Sequence, residues 1–372
     1  MNSELISVSG YLFSDSPLKL RSGNYLSNIQ VAYTINGTLN SKAKIILVLH
    51  ALTGDQYVAS ENPITGRKGW WSDYVGHGMV IDTDKYCVIC TNILAGCMGT
   101  TGPTTKKTLE SDELWGGDFP VITIQDMIMV QREFLKNIGI DNLYAIIGGS
   151  MGGMQVLEWL RLFPDITNKF LILASSYRQS VQNIGFHEIG RKAIQLDPMW
   201  VSGQYHKNKC FPSQGLKIAR MVAHMTYLSS AGLTEKFGRR LQDKNVKSYS
   251  LEEDFQLESY LNYQGNSFTE RFDPCSYVYI TKAVDYFDQS EKYYGDLTET
   301  YSKFGDIKSK SITLISFNSD WLYPTSEMET IRIAVAKNGG NCILTELTSP
   351  YGHDSFLIKD PNLEKTIYEF LN

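Results

Sequence analysis

The chain has 372 residues, 42% of them hydrophobic and 20% charged, with a formal net charge of -5. This is the balance of an ordinary globular protein, too long for one small core and therefore expected to carry a main domain with an insertion. The negative charge argues against a surface made for nucleic acid or an anionic membrane, while leaving room for a local basic patch that holds phosphate.

No apolar stretch reaches the length that spans a bilayer. Met1 to Gly10 lacks the basic start and apolar block of a secretory leader, so a cytoplasmic protein without membrane attachment is expected. The six cysteines are scattered. Cys87 and Cys90 fall three apart in one predicted strand, where they face opposite sides, and read as buried thiols in a reducing compartment. The six histidines are dispersed, so no metal site is expected.

In chain order, Tyr11 to Ile35 alternates apolar and polar residues around Gly23-Asn24, which predicts an antiparallel hairpin. Lys44 to His50 is a near-continuous apolar run, as in a strand buried on both faces. Trp70-Trp71 lies in a polar loop and is expected to pack on the core. Tyr86 to Asn92 is the next strand, and Asn92 to Pro103 a long loop rich in small residues, of the kind that lets a ligand approach the backbone. Phe119 to Ile138 has helical periodicity and ends at Gly139.

Leu143 to Ile147 then reads as a buried strand and Gln155 to Leu162 as a helix. Only Gly148-Gly149-Ser150-Met151-Gly152-Gly153 and Met154 lie between them. Gly-x-Ser-x-Gly on a tight strand-to-helix turn is the pattern of a nucleophile elbow, which exposes the serine oxygen above a helix N-terminus. Lys169 to Ala174 is a further buried strand, and strands alternating with helices in this way imply a parallel sheet covered on both faces.

From Ser175 to Tyr294 no strong strand is visible. Gly215 to Leu228, Leu251 to Tyr263 and Ser276 to Phe287 are predicted helices, most simply a lid over the sheet edge that carries Ser150. The chain thus divides into core (1–174), helical lid (175–295) and core again (296–372). The sheet resumes with Ser311 to Phe317, followed by a helix at Ser326 to Lys337, a last strand at Cys342 to Leu347 and a terminal helix at Asn362 to Leu371.

A serine nucleophile needs a base and an orienting acid. Asp320 falls just after one late strand and His353 in the loop after the next. The order Ser150, Asp320, His353 is that of the α/β-hydrolase fold. In such a fold the oxyanion donors are the backbone N–H groups of Leu52, in the loop after Lys44 to His50, and of Met151, just after the nucleophile. His50 precedes the nucleophile at a loop start, and Cys97 and Cys275 sit on no elbow, so none of these is taken as catalytic. Hydrolases, thioesterases and acyltransferases share these parts.

Several further segments carry a resemblance. HALTGD from His50, NILAGCMGTTGP from Asn92, GGSMGGMQVLEW from Gly148, DPMWVSGQY from Asp197, GLKIARMVAHMTYLS from Gly215, the long segment from Leu257 to Asp288, SDWLYP from Ser319 and YGHDSFL from Tyr351 together resemble the homoserine O-acetyltransferase family over nearly the whole chain. The resemblance implies ping-pong transfer of acetyl from acetyl-CoA, a co-substrate, through Ser150 to L-homoserine, with no separate cofactor. It implies Arg220 as the partner of the homoserine carboxylate, Asp354 as the partner of its ammonium group, and a homodimer formed through the lid helices. Lys106, Lys107, Lys207 and Lys209 are candidates for the CoA phosphates. Relatives that use succinyl-CoA have an arginine soon after the triad aspartate. This chain has Asp320-Trp321-Leu322, without a cation, which favours acetyl over succinyl. A second departure is Ala95, where the family commonly has glycine. The alternatives are a homoserine O-succinyltransferase of the same family, an esterase or thioesterase on the same scaffold, and a catalytically silent ligand-binding protein that keeps the fold.

Overall fold

The computed structural model describes residues 6–305 and 307–372. The first five residues, part of the stretch read above for a leader, lie outside them. Seven strands form the main sheet: β1 (Tyr33–Asn36), β2 (Lys44–Leu49), β3 (Tyr86–Thr91), β4 (Ala145–Gly149), β5 (Lys169–Leu173), β6 (Ser311–Phe317) and β7 (Asn341–Leu347). Their order across the sheet is β7-β6-β5-β4-β2-β3-β1. Only the edge pair of β1 with β3 is antiparallel. This is the parallel, helix-covered sheet that the sequence pattern implies.

The apolar runs are continuous because both faces are covered. Leu47, Leu49 and Ile146 belong to one hydrophobic core, while Ile46, Val48, Ala145 and Ile147 belong to the other. That alternation along β2 and β4 is the period-two geometry of a strand feeding two cores at once. Helices α1 (Ile124–Asn137) and α2 (Met151–Leu162) cover the first face. The terminal helix, Pro361–Leu371, covers the second together with Trp71 and Tyr74.

Several boundaries differ from the sequence reading, three of them in the first half of the chain. The N-terminal hairpin is irregular, with pairs Leu18↔Leu26 and Lys19↔Tyr25 and bridges Leu12↔Ile29 and Val8↔Ala32, after which β1 leaves it for the sheet edge. Helix α1 starts at Ile124 rather than Phe119, because Thr123 and Asp126 close a reciprocal capping box. Helix α2 starts at Met151, four residues earlier than read, directly behind Ser150.

Between β5 and β6 the described chain adds no strand to the main sheet. It runs through α3 (Val181–Leu196), α4 (Ser213–Tyr227), α5 (Ser230–Lys236), α6 (Gln256–Thr269), α7 (Pro274–Asp285) and α8 (Leu297–Ser302). Helix α6 begins at Gln256, not Leu251, because the Glu258 carboxylate accepts the N–H groups of Asp254 and Phe255. Helix α3, the longest of the chain, has no periodic signature, since Val181, Ile189 and Leu196 lie on its exposed side. It packs on α4 and α7, and α4 in turn reaches the turn Gly352–Leu357. No helix among the described residues is long and apolar enough to cross a membrane.

Candidate active site

Ser150 joins β4 to α2 with φ 58° and ψ -125°, a conformation that strains any residue with a side chain. The surroundings hold it there. Its N–H donates to Leu173 O at 2.9 Å, and its own carbonyl accepts from Gly153 N and from the Ser175 hydroxyl. The flanking glycines permit this approach. A Cβ at Gly152 would lie 2.1 Å from Leu49 O, and one at Gly148 would lie 2.3 Å from Gly152 O. Strand and helix therefore meet backbone to backbone, and the serine oxygen is turned outward.

His353 and Asp320 arrive from the two loops that follow β7 and β6. The imidazole Nε2 lies 2.8 Å from Ser150 Oγ, and Nδ1 lies 2.8 Å from Asp320 Oδ2. The other aspartate oxygen accepts the N–H groups of Leu322 at 2.9 Å and Tyr323 at 3.0 Å, so the carboxylate cannot rotate. The two loops are tied together by Gly352 N–H to Ser319 Oγ and Ser349 N–H to Asn318 Oδ1. All three side chains are buried, and Ser150 is the most accessible at 8%.

Burial alone would disfavour a charged imidazole. The adjacent Asp320 outweighs it through charge and hydrogen bonding, and His353 titrates above the ordinary histidine range. The rings of Tyr323, Phe356 and Tyr227 surround the imidazole at 5.2, 5.6 and 6.0 Å. Sequence reasoning gave Tyr323 and Phe356 no role. Both lie within three residues of a triad member, which was the available signal.

The N–H of Met151 is the first of α2 and has no partner within the helix. Among the described residues neither it nor the Leu52 N–H is engaged in a hydrogen bond. His50 is occupied elsewhere: Nδ1–H donates to Ala51 O at 2.8 Å, and Nε2 accepts from Asn92 Nδ2 at 3.3 Å. Burial holds its pKa down. Cys97 and Cys275 are buried thiols, and burial pushes Cys97 up to about 12 and Cys275 higher still. Neither is a ready nucleophile.

Arg220 rises from α4 with its guanidinium 4.9 Å from the Phe268 ring and 5.5 Å from that of Tyr227. Its Nε is buried without a hydrogen-bond partner. Asp354, next to His353, has its carboxyl pushed up by burial, against the pull of His353, Arg220 and Lys236. One cation and one carboxyl thus stand near the histidine, Arg220 across the Tyr227 ring and Asp354 as its chain neighbour.

The lysines singled out for phosphate are less uniform. Lys106 is paired with Asp112 and Lys107 with Glu113 and Asp118, whereas Lys207 and Lys209 are exposed. Ala95 adopts φ 67°, the left-handed region that favours glycine. One group of metal-ligating type also occurs among the described residues, the exposed His77 and Asp84 with the half-buried Asp82. It lies on the turn joining the short strands Val75–Gly76 and Ile81–Asp82, where Asp82 already accepts the N–H groups of Gly78 and Asp84.

A family profile described as the alpha/beta hydrolase fold matches residues 44–360. Homoserine O-acetyltransferase from Zymomonas mobilis is 49% identical, over 95% of this chain and 94% of that protein. Homoserine O-acetyltransferase from Rhodopseudomonas palustris is 47% identical, over 96% of this chain and 88% of that protein. Among solved structures, homoserine O-acetyltransferase from Bacillus anthracis superposes with a TM-score of 0.87 at 24% identity, covering 99% of this chain and 98% of that one. Esterase E22 gives 0.86 at 24% identity, covering 99% of both chains. At that identity the structural likeness speaks to the fold.

Proposed function

The chain belongs to the homoserine O-acetyltransferase family, built on the α/β-hydrolase fold, and from that premise we propose that Ser150, His353 and Asp320 transfer acetyl from acetyl-CoA to L-homoserine in two steps. The observation that carries the assignment of residues is the relay itself. Two 2.8 Å hydrogen bonds run from Asp320 through His353 to Ser150, beside the charged pair Arg220 and Asp354.

In the first step His353 Nε2 takes the proton of Ser150 as Oγ attacks the thioester carbonyl. The oxyanion is received by the N–H groups of Leu52 and Met151. The C–S bond then breaks, and His353 returns the proton to the CoA sulfur. In the second step His353 takes the proton of the homoserine hydroxyl, whose oxygen attacks the acetyl-serine carbonyl. Ser150 leaves and recovers its proton, and O-acetyl-L-homoserine is released. Asp320 holds the imidazole in the Nδ1–H tautomer and stabilises the imidazolium formed in each step.

A zwitterionic acceptor needs one fixed charge of each sign. Arg220 receives its carboxylate and Asp354 its ammonium group. Residues 175–295 form the lid that holds these helices over the sheet edge. The exposed apolar residues Val181, Ile189 and Leu196 of α3 support a homodimer through the same region, in a cytoplasmic enzyme. Leu322, in place of a cation, supports acetyl as the donor group.

Release of CoA from acetyl-CoA and from succinyl-CoA, each with and without L-homoserine, tests this reading. Release that requires homoserine and prefers acetyl-CoA is expected. Preference for succinyl-CoA would overturn the donor assignment, and release indifferent to homoserine would overturn the acceptor.

A further inference from the structure

Beside the triad lies a small cavity with about 30 Å³ of free volume. Its walls include Leu52 from the oxyanion loop and Leu322 and Tyr323 from the loop after Asp320. The opposite wall comes from Gln179 and from Asn183 and His187 on α3. Arg220 and Asp354 are not among its walls. Ser150 and His353 are likewise absent from the lining; Tyr227, one of the walls, has its ring 5.5 Å from the Arg220 guanidinium and 6.0 Å from the His353 imidazole. The cavity thus lies on the triad side reached by Leu52, Tyr227 and Tyr323, without Arg220 or Asp354 in its lining.

The wall on the α3 side is braced. His187 Nδ1–H donates to Asp285 Oδ1 at 2.6 Å, and Arg191 Nη1 lies 2.7 Å from the other oxygen of the same carboxylate. Asp285 and Arg191 are each 5% exposed. Gln179 Oε1 accepts from the Tyr323 hydroxyl and from Asn183, and Asn183 also donates to Leu322 O. Gln179 Nε2 is buried with no partner. Phe186, Ala223, Thr226 and Tyr277 complete the lining with Tyr227 and leave little room between the walls. The space is also short. One water needs roughly 10–15 Å³ on this scale, so the cavity takes two groups of water or methyl size and no extended chain.

We propose that this cavity is the acyl pocket and that His187, braced by Asp285 and Arg191, is its end wall and sets the upper limit of acyl length. The inference rests on the transferase reading above. A zwitterionic acceptor belongs with Arg220 and Asp354, and the cavity, which neither of them lines, is then left for the acyl group on Ser150. Two consequences follow from the wall's makeup. Removing the imidazole lengthens the pocket, and the discrimination between acyl donors is exerted in the first half-reaction, before homoserine enters.

The experiment measures the burst of CoA release without homoserine, using acetyl-, propionyl-, butyryl- and hexanoyl-CoA. It compares the wild type with His187→Ala and with His187→Asn, which retains a donor for Asp285 if the alanine variant does not fold. The wild type is expected to lose about 10-fold or more in burst rate from acetyl to butyryl. In the variants the ratio of butyryl to acetyl rate should rise by about 10-fold, with the KM for homoserine unmoved. A folded variant that keeps the wild-type chain-length profile overturns the inference, as does a variant whose only change is in the homoserine KM. Absence of any burst from acetyl-CoA in the wild type would overturn the transferase reading itself.

Discussion

Asp320 holds His353 Nδ1 at 2.8 Å with one oxygen while its other oxygen is fixed by the N–H groups of Leu322 and Tyr323. The acid is thereby both a charge and a clamp, and its removal should affect both the rate and the pH profile.

His353 must be neutral to accept a proton, and Asp320, outweighing the burial that favours the neutral ring, places its titration above the ordinary value of 6.5. The acidic limb of kcat/KM is therefore expected above pH 6.5, with activity rising as the ring deprotonates. Asp320→Asn removes the charge that favours the imidazolium. The limb should move to lower pH, and kcat should fall by roughly 10³- to 10⁴-fold. A limb that stays in place in Asp320→Asn would mean that another group controls it.

Arg220 and Asp354 are assigned to the acceptor alone. Arg220→Ala and Asp354→Asn should each raise the homoserine KM by about 10- to 100-fold, the worth of a charged hydrogen bond. Acylation of Ser150 by acetyl-CoA should proceed nearly as in the wild type. Separate measurement of the two half-reactions checks this, and equal loss in both would assign these residues to the donor or to the fold.

The elbow depends on a backbone contact that no side chain tolerates. Gly152→Ala places a Cβ 2.1 Å from Leu49 O, so helix α2 has to move away from β2. A loss of about 1–3 kcal/mol in stability is expected, together with loss of acylation as Ser150 shifts. Denaturant unfolding and the CoA burst read the two effects independently. Wild-type values for both would show that the elbow has slack.

Ala95 sits at φ 67° in the loop after β3. Glycine there relieves about 1–2 kcal/mol of left-handed strain and adds back roughly 0.5–1 kcal/mol of unfolded-state entropy. Ala95→Gly is thus expected to raise the thermal midpoint slightly. A clear fall in the midpoint would mean that the methyl group contributes packing that outweighs the strain.

Much of this was legible in the residues. Strands buried on both faces announce themselves as unbroken apolar runs, as Lys44–Leu49 and Ser311–Phe317 do. Gly-x-Ser-x-Gly between a strand and a helix located Ser150, and Asp320 and His353 followed because strand ends were recognisable. What stayed hidden depends on tertiary environment. Helix α3 leaves Val181, Ile189 and Leu196 exposed, so its pattern shows no single apolar face. Asn183 and His187 on it, with the preceding Gln179, are polar and look like ordinary surface until α4, α7 and the Asp320 loop close over them. The start of α1 was misjudged because the capping box at Thr123 and Asp126 overrides the apolar residues before it.

The most direct test of the account is the mass of the intact protein after mixing with acetyl-CoA, before and after addition of L-homoserine. The account predicts one acetyl group per chain, located on Ser150 and absent in Ser150→Ala. Homoserine should discharge it far faster than water, with one equivalent of O-acetyl-L-homoserine formed. No adduct on Ser150, or an adduct lost equally fast with and without homoserine, would contradict it.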